Sequence, residues 1–371
     1  MRNVIMMHSV GSNNTNWKER WLSVDKVHFE TFCRYLNQKK YKTYFLDHWY
    51  NQEDKANQYD KTLYLTFDDG YLDILLIAYP ILKKYGIKAT VFVNPEFVDP
   101  SSGVRTLSTN NGNTLGFLNW DEIKFLDKSG YVDIQSHTMT HNYYFKSNKI
   151  IDVHAPLNDY HWLAWISNPT RKYAWQLENQ SSYTPYGYPI FEYGRALSLR
   201  RYIPDPKLID KLVELYKAGK SIDYIMQACT ELQKDLPGRY ETDDEMVDRF
   251  RYEICQSKSL LEDKLGKKVD FLCWPGGGYC DLALDLAKEA GYKASTISSK
   301  DSIGFSNRTV VFKRIVRLGM DSTIFKGRYL RAKRVFPVKF KYHLVWNLMV
   351  EEKRPLVYFL AKVNNFILRF L

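Results

Sequence analysis

Short apolar runs alternate with helix-like patterns along most of this 371-residue chain, and this alternation restricts the possible folds more than any other feature. Alternating strands and helices are typical of a parallel sheet, either open or closed into a barrel. Glycines follow several of the helical patterns, at the position where helices commonly end. The predicted strands are residues 4–7, 63–67, 90–93, 132–135, 271–274, 294–297 and 310–316, and the predicted helices include 27–36, 74–85, 121–128 and 282–290.

The alternation is interrupted between about residues 153 and 240. Residues 160–202 contain eleven aromatic side chains and three prolines, which favours an irregular segment. Two helices are predicted after it, at 207–217 and 222–232, and a capping box of Thr242 and Glu245 begins the next helix. We therefore predict a catalytic domain over 1–320 with an insertion of about 153–240 that folds over it.

Positive charge is concentrated near the end of the sequence. Residues 308–371 contain 15 basic and three acidic residues, a net charge of +12, whereas residues 1–307 carry a net charge of −1. A basic segment favours an anionic partner, either nucleic acid or a membrane surface. Residues 356–371 also form an amphipathic helical pattern that is typical of a bilayer interface. We predict a basic helical tail over 321–371 that contacts an anionic membrane and no nucleic acid, with packing on the barrel as the alternative.

The cysteines and the first residues bear on the cellular compartment. The five cysteines are scattered and form no CxxC pair, which argues against a disulfide scaffold and a zinc ribbon. Residues 1–8 contain only a short apolar run, and no run reaches the length of a membrane-spanning helix. We expect a cytoplasmic protein that is peripheral on the cytoplasmic membrane.

Two adjacent carboxylates, Asp68 and Asp69, follow the second predicted strand in the sequence TFDDG. In α/β folds, functional residues lie at the carboxyl ends of the strands. Neighbouring side chains on a strand point in opposite directions, so both carboxylates face one site only if the backbone turns there, which Gly70 permits. By itself, the motif is equally compatible with an Asp-Asp-Gly turn at the surface.

The sequence SHTMTH places His137 and His141 after another predicted strand. Histidines four residues apart in a helical turn share a face and can bind one metal ion. Two histidines and one carboxylate form a ligand set with open positions for water and substrate. Two unrelated surface histidines are the alternative, but the second strand-end motif favours a metal site.

TFDDG and SHTMTH together resemble the first two motifs of the polysaccharide deacetylases, the NodB-homology group that is also called carbohydrate esterase family four. Residues 271–279 (FLCWPGGGY) are similar to the third motif of that family. The resemblance covers about residues 1–150 and 240–320. It implies an α/β fold, a distorted (β/α)7-type TIM-like barrel, and a carbohydrate deacetylase, which is a hydrolase of C–N bonds other than peptide bonds.

The resemblance also implies residue roles. Asp69, His137 and His141 would bind a divalent metal ion, zinc in the first place and cobalt or nickel otherwise, and Asp68 would be the general base. Such an ion polarises the amide oxygen and acidifies water, and a free carboxylate beside it can take the proton of that water. The backbone N–H of Gly276 would stabilise the oxyanion.

Two features of the family are missing from the sequence. Cys273 stands where many relatives have an arginine that steadies the base, and the late Leu-x-x-His motif, which supplies the general acid, is absent. His8 ends the first predicted strand and resembles an early histidine in one branch of the family, which serves there as the general acid. A packed core histidine is the alternative for His8.

Substrate-binding residues are less well defined. Tyr186 and Tyr188 could stack on a sugar ring, Trp274 belongs to the third motif, and Arg314 and Arg317 could hold a phosphate or a sugar acid. Structural roles are the alternative for each. We predict a metal-dependent N-deacetylase that acts on an N-acetylated sugar of a surface polysaccharide or its lipid-linked precursor. An O-acetyl carbohydrate esterase and an inactive glycan-binding protein are the alternatives.

Overall fold

The computed structural model of the protein describes residues 3–11, 22–52, 61–297 and 313–319. Its strands are β1 (Asn3–Met7), β2 (Ser9–Val10), β3 (Ser23–Val24), β4 (Lys42–Thr43), β5 (Thr62–Phe67), β6 (Ala89–Val93), β7 (Val132–Ser136), β8 (Tyr143–Val153), β9 (Pro189–Arg195), β10 (Tyr202–Ile203), β11 (Arg239–Tyr240), β12 (Phe271–Leu272), β13 (Ala294–Ile297) and β14 (Lys313–Gly319). Seven parallel strands follow each other in the order β1-β14-β13-β12-β7-β6-β5, and β5 pairs with β1 to close a barrel. The predicted α/β barrel is therefore confirmed.

The described residues contain ten α-helices. They are α1 (Lys26–Gln38), α2 (Leu46–Asn51), α3 (Tyr79–Tyr85), α4 (Trp120–Lys128), α5 (Trp162–Ser167), α6 (Pro206–Lys217), α7 (Ile222–Leu232), α8 (Asp243–Arg251), α9 (Ser257–Leu265) and α10 (Asp281–Glu289). Helices α5–α7 belong to the inserted segment, and the others lie between or after the barrel strands. Apolar residues of α1, α3, α4, α9 and α10 share one buried cluster with the strands. Each fully buried Leu or Phe there contributes roughly 1.5–3 kcal/mol.

The local signals of the sequence explain most element boundaries. Gly86 and Gly266 end α3 and α9 in the left-handed conformation, and the capping box of Thr242 and Glu245 begins α8 as predicted. The predicted strand 271–274 is shorter, because β12 ends at Leu272 and Pro275 begins a 3₁₀ turn. The last barrel strand lies later than predicted, at Lys313–Gly319, and residues 310–312 lie outside the described part of the chain.

The insertion forms a layer of its own beside the barrel. Strands β8 and β9 pair antiparallel from Tyr143 onward, so this layer begins before residue 153. The two helices predicted after the aromatic segment are confirmed as α6 and α7. Aromatic side chains of the insertion, among them Trp162, Trp165 and Phe191, form a second buried cluster that also contains Phe97 and Phe117.

The predicted basic tail over 321–371 lies outside the described residues. Its contact with a membrane and its packing on the barrel therefore both stay predictions. Among the residues that the structure describes, no helix is long and apolar enough to cross a membrane.

Candidate active site

The two acidic residues after β5 both face one cleft because the backbone turns sharply at this strand end. The Asp68 N–H still donates to the Met7 carbonyl at 2.9 Å, which continues the pairing with β1. Asp69 (φ 71°) and Gly70 (φ 76°) then adopt the left-handed conformation. A Cβ on Gly70 would approach Val93 Cγ1 to 2.9 Å, so glycine is required there for both conformation and space. The turn predicted from the sequence is present, and Asp69 is itself part of it.

Three side chains converge at this strand end as a possible metal-binding set. His137 Nε2 lies 3.2 Å and His141 Nε2 lies 3.6 Å from Asp69 Oδ1. One ligand atom from each of the three residues falls within 4.8 Å of the others. A carboxylate oxygen and two imidazole nitrogens at this spacing are a donor set that suits zinc and similar divalent ions.

A hydrogen bond at Nδ1 of His137 fixes which ring nitrogen faces Asp69. Its Nδ1 lies 2.9 Å from the Cys273 carbonyl, which can only accept, so Nδ1 carries the hydrogen and Nε2 turns toward Asp69. Burial opposes a charged ring, but Cys273 and Asp69 outweigh it and raise the pKa of His137 well above its ordinary value. A bound cation would take the place of the Nε2 proton, since a metal ligand is the neutral imidazole. The residues present fit a divalent metal ion.

The loop that carries the two histidines is not the helical turn expected from their spacing. Thr138 (φ 63°) and His141 (φ 56°) are left-handed, and this irregular path brings both rings to Asp69. The buried Glu253 holds the loop: its carboxylate accepts from the N–H of Met139 at 3.1 Å, from the N–H of Thr140 at 2.9 Å and from the Thr140 hydroxyl. No local pattern in the sequence indicates this support.

Lys172 supports the same loop from the insertion. Its fully buried ammonium donates to the Thr140 carbonyl at 2.8 Å, to Asn142 Oδ1 at 2.9 Å and to Glu96 Oε2 at 2.5 Å. A buried lysine is tolerated only when it is paired and hydrogen-bonded. Lys172 therefore ties the insertion to the segment that carries the candidate metal ligands.

Arg317, which was predicted to bind substrate, instead holds Asp68. Arg317 of β14 donates to Asp68 Oδ1 at 2.6 Å and to Oδ2 at 2.8 Å, and the same guanidinium lies 3.1 Å from Cys273 Sγ. Both partners of this ion pair are almost fully buried. The arginine that the third motif lacks is therefore replaced by one from another strand.

The charges around Asp68 keep it ionised. Burial opposes ionisation, but Arg317 outweighs it with help from His137 and His8, so the pKa of Asp68 lies below its ordinary value. His141 differs, since burial lowers its pKa to about 3 and leaves a neutral imidazole. A charged carboxylate and a neutral imidazole are the forms required of a base and a metal ligand.

His8, Gly276 and Trp274 lie around the same cleft, which has a volume of about 670 Å³. His8 Nε2 is 3.9 Å from Asp68 Oδ2. In the third motif, the N–H groups of Gly277 and Gly278 donate to the Trp274 and Pro275 carbonyls, so Gly276 stays the candidate oxyanion donor among the three glycines. The structure thus brings these residues to Asp68 and the candidate metal ligands.

Three of the predicted substrate residues do not line this cleft. Side chains alternate between the two faces of β14. Arg317 lies on the same face as the buried Ile315, whereas Arg314 lies on the other face and is exposed. Tyr186 and Tyr188 flank Gly187 (φ 93°), which packs directly against α6. Other aromatic residues of the insertion line the cleft instead, namely Tyr143, Trp162, Trp165, Trp175 and Tyr193.

Comparison with known proteins agrees with this geometry. Residues 55–174, which include both strand-end motifs, match the family model described as polysaccharide deacetylase. Residues 55–174 belong to the polysaccharide deacetylase family. The matched residues contain Asp68, Asp69, His137 and His141, the four residues around which the site is built.

Two related proteins each match a little over a third of the chain. YxkH of Bacillus subtilis, named for this family, is 32% identical over 144 residues, which are 37% of this chain and 42% of YxkH. A Staphylococcus aureus poly-β-1,6-N-acetyl-D-glucosamine N-deacetylase is 28% identical over 127 residues, which are 34% of this chain and 41% of that protein. The chain thus matches about two fifths of the length of each relative.

The fold extends beyond these alignments. The BpsB deacetylase domain of Bordetella bronchiseptica superposes with a TM-score of 0.50 and covers 86% of this chain and 95% of that domain. Only 17% of the aligned residues are identical, so this likeness concerns the fold alone. It includes the closed parallel barrel of the polysaccharide deacetylases.

Proposed function

We propose that this polysaccharide deacetylase is a metal-dependent N-deacetylase, acting on an N-acetylated sugar of a surface polysaccharide or of its lipid-linked precursor. One observation carries the proposal: a metal-ligand set of Asp69, His137 and His141 lies next to a separate ionised carboxylate, Asp68, in one cleft. The name of the S. aureus relative supports an N-acetylated sugar as the substrate.

A divalent ion held by Asp69, His137 and His141 would polarise the acetyl carbonyl and lower the pKa of water, and we propose zinc first, with cobalt or nickel as alternatives. Asp68 would take the proton of the attacking water. Arg317 donates to both carboxylate oxygens and the Cys273 thiol donates to Oδ2, so the further lone pair of Oδ1 is the one that would take that proton. The Gly276 N–H would donate to the oxyanion.

The second half of the reaction needs an acid for the sugar nitrogen. A carbon–oxygen bond to the acetyl carbon has formed, the carbon–nitrogen bond breaks, and the nitrogen takes a proton from His8. The products are acetate and the free amine. The 3.9 Å between His8 Nε2 and Asp68 Oδ2 supports this role, because acid and base are then within reach of the same acetamido group.

The pairing of Arg317 with Asp68 argues against an inactive glycan-binding protein. Cys273 was the reason to consider one, since it stands where relatives have the steadying arginine. With Arg317 at Asp68, the candidate base is charged and held in place. A protein that only binds glycans has no need of such a base.

Release of products from defined substrates tests the proposal. The purified metal-loaded protein is incubated with a β-1,6-linked N-acetylglucosamine oligomer, and free amine and acetate are both measured. We expect the two in equal amounts, and neither from Asp68→Asn, which should retain its metal. Acetate from an O-acetylated oligomer without any amine from the N-acetylated one would instead indicate an esterase. Binding of oligomer without either product would indicate a glycan-binding protein.

We also propose that residues 321–371 hold the enzyme at an anionic membrane on its cytoplasmic face. The net charge of +12 in residues 308–371 supports this location, as does the amphipathic pattern of 356–371. A lipid-linked precursor would be accessible there. The basic cluster consists of Lys326, Arg328, Arg331, Lys333, Arg334, Lys339 and Lys341.

A further inference from the structure

Arg195, at the end of β9, brings a guanidinium from the insertion to the candidate active site. It lines the same cleft as Asp69, His141 and Gly276. Its guanidinium carbon lies over the Tyr143 ring, 4.0 Å from the ring centre, which is a cation–π contact. The Tyr143 ring therefore supports the Arg195 side chain at the edge of the cleft.

Two glycines of the third motif are needed for this position of Arg195. A Cβ on Gly276 would lie 2.2 Å from Arg195 Nε and 2.3 Å from its Cζ, and a Cβ on Gly278 would lie 2.4 Å from the Arg195 Cβ. Real Cβ atoms do not approach other atoms so closely. Because Gly276 and Gly278 have no Cβ, the Arg195 side chain can lie directly on the backbone of the loop.

Arg195 also lies next to a candidate metal ligand. Arg195, His141, Pro275 and Gly278 share the lining of a second, small cavity of about 10 Å³. A guanidinium stays charged at all relevant pH values. A permanent positive charge therefore lies against the backbone of Gly276, the proposed donor to the acetyl oxygen, and shares a cavity with His141.

We propose that Arg195 is a further catalytic residue, which contacts the acetyl oxygen, stabilises the oxyanion and then binds the carboxylate of the acetate product. This inference rests on the proposed deacetylase function. A guanidinium gives a stronger, charge-assisted hydrogen bond than a backbone N–H, and its planar fork matches a carboxylate. The insertion would thereby take part in catalysis as well as in shaping the cleft.

Substitution of Arg195 tests the proposal through both turnover and acetate binding. Loss of one oxyanion donor typically costs about 10²–10³ in kcat, so we expect Arg195→Gln to lower kcat about 100-fold. It should also weaken the binding of acetate to the metal-loaded protein, measured by calorimetry, at least tenfold. Arg195→Lys should fall between Gln and the wild type, because it keeps the charge but loses the planar fork.

Arg201→Gln is the matched control. Arg201 belongs to the same insertion and lies 4.5 Å from the Tyr144 ring, but it lines a different cavity. We expect wild-type kcat and acetate affinity for this variant. If Arg195→Gln folds and binds metal but also keeps both values, the proposal is overturned. If Arg195→Gln does not fold, Arg195→Lys decides, and wild-type kcat and acetate affinity in that variant overturn the proposal as well.

Failure of the proposed function gives a different result. A wild-type protein that releases no amine from any N-acetylated oligomer contradicts the deacetylase function itself. Acetate binding still tests Arg195 in that case, because it requires no turnover. An affinity for acetate that is the same in the wild type and in Arg195→Gln then contradicts the role of Arg195 separately.

Discussion

Removal of the Arg317 guanidinium should destabilise the fold and impair the base at the same time. Arg317 and Asp68 form a two-pronged ion pair whose side chains are only 8% and 4% exposed. Loss of one partner of a buried pair typically costs about 3–5 kcal/mol, because the other charge stays buried without compensation. We therefore expect Arg317→Gln to lower the free energy of unfolding by an amount of this order at neutral pH.

The effect on catalysis follows from the pKa of Asp68. Arg317 is the main group that lowers this pKa against the effect of burial, so Arg317→Gln should raise it and leave less ionised base at neutral pH. The acidic limb of the profile of kcat/KM against pH should move to higher pH. The depressed pKa stabilises the native fold at neutral pH, and this contribution is lost only as the pH falls through that lowered pKa.

Denaturant unfolding and pH–rate profiles of Arg317→Gln and three further variants check this reasoning. Arg317→Lys keeps a charge but not both contacts and should lie between Arg317→Gln and the wild type. Arg314→Gln, an exposed position on the same strand, should match the wild type in both assays. Asp68→Asn combined with Arg317→Gln should recover stability relative to Arg317→Gln alone. An Arg317→Gln protein with wild-type unfolding free energy and an unchanged acidic limb would refute the account of the pair.

The remaining predictions concern the general acid, the histidine loop and the tail. His8→Ala should lower kcat by about 10²–10⁴ without loss of bound metal, and a near-normal kcat would place the acid elsewhere. Glu253→Ala removes the carboxylate that accepts from the histidine loop and should weaken metal binding about 10–100-fold. Competition with a chelating dye measures this affinity, and an unchanged value would contradict the positioning role of Glu253. The full chain should bind liposomes that contain anionic lipid, and high salt should weaken this binding. Truncation at Pro355 should weaken liposome binding sharply without changing the turnover of a soluble substrate.

Much of the barrel could be predicted from the sequence, because each element carries its own local signals. The strands before Asp68 and His137 are apolar runs, and the helices have glycine ends or a capping box. Both strand-end motifs are contiguous in sequence and were found for that reason. The left-handed backbone of the histidine loop was missed, since spacing alone does not distinguish an irregular loop from a helical turn.

Contacts between distant segments could not be predicted in the same way. Arg317 lies 249 residues after Asp68, and no local pattern indicates which arginine pairs with the base. Lys172 and Glu253 reach the histidine loop from the insertion and from the helical segment after α8. The many aromatic residues of the insertion favour Tyr186 and Tyr188 as sugar-stacking residues. Gly187 between them packs on α6, however, and other aromatic residues line the cleft.

The dependence of amine release on bound metal tests the central claim most directly. The protein is freed of metal with a chelator, then titrated with zinc, cobalt or nickel while amine release from a β-1,6-linked N-acetylglucosamine oligomer is followed. We predict no activity in the metal-free protein and a rise that saturates at one ion per chain, with no recovery in His137→Ala. Full activity in the metal-free protein would contradict the account.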